Sequence, residues 1–161
     1  YPSRSLAAIT DPQQRIVEEE RSKKINFASM RALDAARKRG QVVLVFPSGT
    51  RYRPGKPETK RGVREIDSYL RLSDVMLLIS SNGNCLRISE DHPNDMMMDR
   101  VCQDICLMNA APIQDCKTFR NNVLATLENY EGDKKQVVVD KIMEQLEQMH
   151  IQNEEERKKL L

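Results

Sequence analysis

The residues best suited to chemistry in this chain lie directly after its first strongly apolar run. Ser48-Gly49-Thr50-Arg51 follows Phe46-Pro47, and Arg53, Lys56, Lys60, Arg61 and Arg64 come soon after, with Glu58 the one acidic residue among them. Ser and Gly let a backbone turn tightly and present its N–H groups, while Arg offers a planar fork of donors that matches a phosphate. Lys60, Arg61 and Arg64 would add charge at the start of the helix expected next, whose N-terminal dipole also favours an anion. The grouping predicts a site for an anionic partner: a phosphate-bearing small molecule, a nucleic acid or a membrane surface.

Several elements must position these residues. Asp11-Pro12-Gln13-Gln14 reads as a helix start, with an acceptor at the cap, Pro at the first helical position and Gln to complete a capping box. A second apolar stripe at Phe27, Met30, Leu33 and Ala36 follows, with Asn26 as a fresh cap and Gly40 as the terminator. Val42-Val43-Leu44-Val45-Phe46 is continuously apolar and largely β-branched, as in a central strand covered on both faces. Pro47 to Thr59, with Pro54, Pro57 and Gly55, is irregular; helical spacing returns from Gly62 to Leu72, and Val75 to Ile79 reads as a second buried strand. Strand, loop, helix and strand in this order predict a β-α-β unit with parallel strands, which places the basic loop at a strand's carboxyl end.

Beyond Ser81-Asn82-Gly83-Asn84, read as a turn, Cys85 to Ile88 predicts a short strand in a hairpin with the preceding one. The segment from Asp95 to Met108 fits a helix or a strand equally. Phe119, Val123, Leu124 and Leu127 mark one amphipathic helix, and Val138, Ile142, Leu146 and Met149 mark another after Asp133. The closing charge run, Glu154 to Lys159, reads as a solvated helix end, and Met96-Met97-Met98 as flexible core in preference to a contact surface for acyl chains. The fold expected is a mixed, largely parallel α/β sheet flanked by helices, with a helical C-terminal segment. It forms a single domain over 1–161, with an α/β phosphate-binding part at 1–95 and a mainly helical part at 96–161.

Composition narrows the field. At 161 residues, 39% hydrophobic and 31% charged, with a net charge of +2, the chain suits one globular domain with its own core. Cys85, Cys102, Cys106 and Cys116 lack C-x-x-C spacing, which argues against zinc and for reduced thiols packed as small hydrophobes. No apolar run reaches the length of a membrane span and the first residues do not resemble a signal peptide, so a cytoplasmic protein with peripheral contact to the inner face of a membrane is expected. The opening Tyr1, without Met, reads as the start of a fragment.

Phe46-Pro47-Ser48-Gly49-Thr50-Arg51-Tyr52-Arg53 resembles the F-P-E-G-T-R-S-R block of the glycerolipid acyltransferases, which acylate glycerol 3-phosphate and its 1-acyl derivative. Lys60-Arg61-Gly62 resembles the F-K-x-G that follows it, and Val75 to Ile79 falls where that family has its next hydrophobic strand. The likeness spans Asn26 to Ser80, about a third of the chain. It implies that Arg51, helped by Arg53 and Lys60, binds the acceptor's phosphate while Ser48, Gly49 and Thr50 shape the loop. It further implies acyl-CoA or acyl carrier protein as donor, a glycerol-3-phosphate-type acceptor, and no cofactor or metal. Ser48 replaces the usual Glu, as in the plastid-type enzymes with P-S-G-G-R-D-R-P, whose ending Arg53-Pro54 echoes. Thr59 stands where an aromatic is usual, and Ser80-Ser81 where Pro is common.

The family's general base is absent. Acyl transfer there needs a His to deprotonate the acceptor hydroxyl and an Asp to orient it, in an H-x4-D motif before the phosphate block. This chain has no His before His92, whose carboxylates at Asp95 and Asp99 stand at H-x2-D and H-x6-D. An exposed His92 beside a turn capped by Asp91 or Asn94 is the expectation, as is a polar-flank position for His150. Two other readings stay open: a noncatalytic lipid-phosphate-binding or scaffold homologue, and a nucleic-acid-binding module using the basic loop. The second is disfavoured because Tyr52 is the one aromatic available there for base stacking, and no nucleic acid is expected.

Overall fold

The computed structural model describes residues 9–53 and 55–161, so the readings placed on Tyr1 and Pro54 lie outside the described residues. The chain divides between Val45 and Phe46 into two compact units. Among the described residues, the first is built on the helix α1 (Pro12–Lys38). Asp11 caps it by accepting from the Gln13 N–H at 3.0 Å, Pro12 fills the first position, and Arg37 and Lys38 stand in the last turn, where the dipole favours cations. Ion pairs one turn apart, Arg15 with Glu19 and Lys38 with Asp34, support its exposed surface. The helix runs unbroken through Asn26, which is therefore not a second cap. Gly40, at φ +76°, ends it as expected.

The expected central strand at Val42 to Phe46 is not formed. These residues have no regular structure, and Val42 is 97% and Leu44 74% exposed. An apolar, β-branched run suits a strand, but a strand exists only where a neighbour supplies the ladder, and none of the described residues pairs with this one.

The second unit contains α2 (Ile66–Leu72), six short strands, α3 (Cys116–Ala125) and α4 (Lys134–Lys158). The strands are β1 (Val75–Met76), β2 (Ile79–Asn82), β3 (Leu86–Arg87), β4 (Arg100–Val101), β5 (Leu107–Ala110) and β6 (Gln114–Asp115). All pairing is antiparallel: β1 with β6, β2 with β5, β3 with β4. Together they form one ribbon that runs out from Val75 and back to Asp115, with residues 88–99 at its tip. Further backbone bonds, Ala111 N–H to Leu78 and Cys102 N–H to Cys85, continue it. Its register slips between pairs, since Met76 to Ile79 faces the longer stretch Gln114 to Ala110, and Asn82 to Leu86 faces the still longer Leu107 to Val101. Extra residues on one arm are β-bulges, which break the ribbon into short ladders and increase its twist.

The largely parallel α/β sheet expected from the sequence is thus corrected: helix makes up 49% and strand 12%, and the strands form only short antiparallel pairs. The β-α-β reading failed at both ends. Its first strand is absent, and its second finds a partner in Leu107–Asp115, part of which had fitted helix and strand equally. Leu86–Arg87 pairs with β4 and not with the preceding strand. The two C-terminal helices form where the apolar periodicity placed them.

The core lies where α4 crosses the ribbon and packs against α2 and α3. Val138, Val139 and Ile142 of α4 are buried with Ile66 and Leu70 of α2, Leu78 and Cys116, each large aliphatic side chain contributing about 1.5–3 kcal/mol. Asp67 of α2, fully buried, accepts from Arg120 Nε of α3 at 2.7 Å. A polar seam joins α4 to the ribbon. Asn153 Nδ2 donates to Asn82 Oδ1 at 3.1 Å and to the Leu107 carbonyl at 2.9 Å, and Asn82 Nδ2 donates to the His150 carbonyl and to Glu154. Arg157, expected in a solvated helix end, is instead buried between Asp104 and Glu154. Among the described residues no helix is long and apolar enough to cross a membrane.

Hydrogen bonds from Arg157 and Asn82 pull the Glu154 carboxyl down from 4.5 to about 2. A carboxyl depressed by folding adds stability above its unfolded pKa, and that contribution is lost as pH falls toward the folded value. Urea denaturation should therefore show stability falling from about pH 5 toward pH 2, with a shallower fall in Glu154→Gln. Equal slopes for the two proteins would remove Glu154 from the cause.

Candidate functional site

Phe46 opens the second unit, and the residues after it fold into a closed loop. The Gly49 N–H donates to the Phe46 carbonyl at 3.0 Å, forming a tight turn, and the Val63 N–H donates to the Pro47 carbonyl at 2.8 Å, joining the loop's beginning to its end. Gly49 sits at φ +64°, where a side chain is strained, although a Cβ there would meet nothing closer than Val63 Cγ1 at 4.0 Å. Backbone conformation, and not space, selects glycine at this position. Ser48 Oγ donates to the Thr50 carbonyl at 2.7 Å, so the hydroxyl braces the turn.

Arg51 and Arg53 converge on one carboxylate, that of Asp99, which comes from the tip of the ribbon. Arg53 grips it with both nitrogens, Nη1 to Oδ1 at 3.2 Å and Nη2 to Oδ2 at 3.0 Å, and Nη1 also donates to the Pro93 carbonyl. Arg51 Nη2 faces Asp99 Oδ2, and its Nη1 donates to the Leu86 carbonyl at 3.3 Å. The Asp99 side chain is fully buried and Arg53 nearly so, at 6% exposure. Burial, and then the neighbouring Arg53 charge, hold the Arg51 guanidinium below its ordinary pKa. Lys56 Nζ reaches Asn94 Oδ1 at 2.6 Å, adding a second tie to the same tip.

The other cations of the basic cluster turn toward acidic residues on or beside α4. Lys60 pairs with Glu147 at 2.6 Å and lies over the Tyr52 ring, while Arg61 faces Asp140 and Arg64 faces Asp133. Ser48, Gly49, Thr50, Arg51 and Arg53 are thus brought together, and Lys60 points to a different anion. The dipole expected to help them is of little use: α2 is seven residues long, starts at Ile66 and has no side-chain cap.

Comparison with protein-family models, with curated proteins and with solved structures gave no match.

Asp99, weighed in the sequence only for its spacing from His92, was not legible as a partner of the arginines, because it lies 46 residues beyond Arg53 and arrives only through the ribbon's fold. His92 is exposed, its N–H bonded to Ser89 Oγ. The cap in this segment is neither Asp91 nor Asn94 but Asp95, which accepts from the Met97 N–H at 2.9 Å. Met96, Met97 and Met98 are 53%, 90% and 48% exposed, which overturns their reading as core. The cysteines are free, but Cys116 is the one buried; Cys85 and Cys106 are exposed, so packing as small hydrophobes does not describe them.

Gly62, the last residue of Lys60-Arg61-Gly62, lies directly on α4. A Cβ there would stand 2.6 Å from Val139 Cγ1 and 2.9 Å from Met143 Cγ. Overpacking of this kind costs about 1–3 kcal/mol. Gly62→Ala should lower the denaturant midpoint accordingly, and a midpoint equal to the parent's would show that α4 does not depend on this contact.

Proposed function

We propose that this chain carries the acceptor-phosphate side of a glycerolipid acyltransferase. In the reaction, a hydroxyl of glycerol 3-phosphate or 1-acylglycerol 3-phosphate attacks the thioester carbonyl of acyl-CoA or acyl carrier protein. The new ester C–O bond forms and the C–S bond breaks, while a base takes the hydroxyl proton and passes it to the departing thiolate, which leaves as a thiol. The observation that carries this reading is the convergence of Arg51 and Arg53 on one buried oxyanion within the Phe46 to Arg53 block. Two guanidinium forks facing one point are the arrangement that recognises a phosphate monoester. Ser48, Gly49 and Thr50 hold the turn from which both arginines extend. Lys60 keeps its proposed place beside the phosphate only by exchanging Glu147 for the ligand.

The base is the missing part. His92 and His150, the two histidines, stand outside any H-x4-D motif, so within this reading these residues bind and orient the acceptor while deprotonation falls to a group outside them. The protein would work at the cytoplasmic face of a membrane, as a peripheral partner, because the acylated product is a lipid that resides there.

Calorimetric titration with sn-glycerol 3-phosphate tests the assignment. Losing one charge-assisted contact costs about 1.5–3 kcal/mol, so Arg51→Ala should weaken binding about tenfold or more, with glycerol bound poorly by both proteins. Equal affinities would sink the assignment. Steeply salt-dependent binding to RNA or DNA that needs Arg51 would replace it with the nucleic-acid reading.

A further inference from the structure

The two arginines proposed to hold the acceptor's phosphate already hold an anion that belongs to the chain. We propose that Asp99 is a resident plug of the phosphate site, and that the ribbon tip, residues 88–99, must swing away before a phosphate monoester can bind. The inference rests on the reading of Arg51 and Arg53 as acceptor ligands and adds the regulation of that site.

Charge is the first support. Arg51 and Arg53 bring two positive charges to a buried point where Asp99 supplies one negative charge. A phosphate monoester carries about −1.5 to −2 near neutral pH, so it balances the pair more completely than the carboxylate does. Its oxygens also fit the guanidinium fork that a carboxylate fits. The incoming ligand therefore gains by exchange what Asp99 gives up.

Mobility of the tip is the second. Residues 88–99 hang from a ladder of two short strands, Leu86–Arg87 with Arg100–Val101. Beyond Asp99, the polar ties to the loop among the described residues are the Pro93 carbonyl on Arg53 and Asn94 on Lys56. Met97 is almost wholly exposed and Met96 and Met98 are about half exposed, so the three methionines anchor the tip only weakly. Segments with few buried contacts and exposed backbone bonds open at low cost. Among the described residues, the tip is latched to the loop chiefly by the charges the ligand would claim.

The test titrates the chain and its Asp99→Asn and Asp99→Ala variants with sn-glycerol 3-phosphate and, separately, with inorganic phosphate, at fixed ionic strength. Both variants should bind glycerol 3-phosphate about tenfold tighter or more than the parent. In the parent, saturating glycerol 3-phosphate should also speed hydrogen exchange at the Met97, Met98 and Asp99 amides, whose bonds to Asp95 and Met96 lie within the tip that opening frees. Unchanged or weaker binding by a folded Asp99→Asn overturns the plug. Should neither variant fold, exchange in the parent decides, and tip amides that exchange no faster with ligand overturn it. Parent binding that Arg51→Ala abolishes and Asp99→Asn does not improve removes the plug and keeps the acceptor reading. A gain for inorganic phosphate with no preference for glycerol 3-phosphate keeps the plug and removes the acyl acceptor.

Discussion

Asn153 of α4 donates through one amide nitrogen to both arms of the ribbon, to Asn82 on β2 and to the Leu107 carbonyl on β5. Asn153 is 3% and Asn82 1% exposed, so neither has water as an alternative partner. A buried polar group left unpaired costs about 1–3 kcal/mol, which makes this seam a strict judge of register. Slipping β2 by one residue would turn Ser80 and Asn82 away from the helix and bring Ile79 and Ser81 against it. The apolar burial of Val138, Val139 and Ile142 supplies the attraction between helix and ribbon, and the asparagines decide the alignment.

The position of the site follows from that alignment. With its base registered on α4, the ribbon carries its tip to a defined place, and Asp99 meets Arg51 and Arg53 there. The basic loop is referred to the same helix from the other side, since Gly62 lies on Val139 and its carbonyl accepts from Gln136 Nε2 at 3.1 Å. Both halves of the charged cluster are therefore measured from one long helix. This explains how a short, irregular loop presents two guanidinium groups to a common point without regular structure of its own.

Burial gives the cluster its weight. The exposed pairs along α1 and at Arg100 with Asp91 contribute little, because water and salt screen them. Asp99 and Arg53 are shielded, so removing either leaves an uncompensated charge inside the protein. A site of this kind is held tightly by charge matching. Lys60, half exposed beside Glu147, is under no such constraint and is free to exchange partners at small cost.

Local chemistry was legible in the chain itself. The cap at Asp11, the terminator at Gly40, the turn at Gly49, the basic loop and both C-terminal helices were read from residues a few positions apart, and the structure forms them from contacts of the same range. Pairing was not legible. The apolar run at Val42 to Phe46 has the composition of a central strand, yet a strand requires a partner whose identity its own residues do not encode. Leu107 and Met108 looked ambiguous because their character is settled by β2. Glu147, Asp133 and Asp99, which receive the basic residues, lie far along the chain from them. The sequence determined which charges gather in the loop, through backbone preferences and spacing. Tertiary structure alone decided which anions answer them, because burial and register bring together groups that no short-range interaction connects.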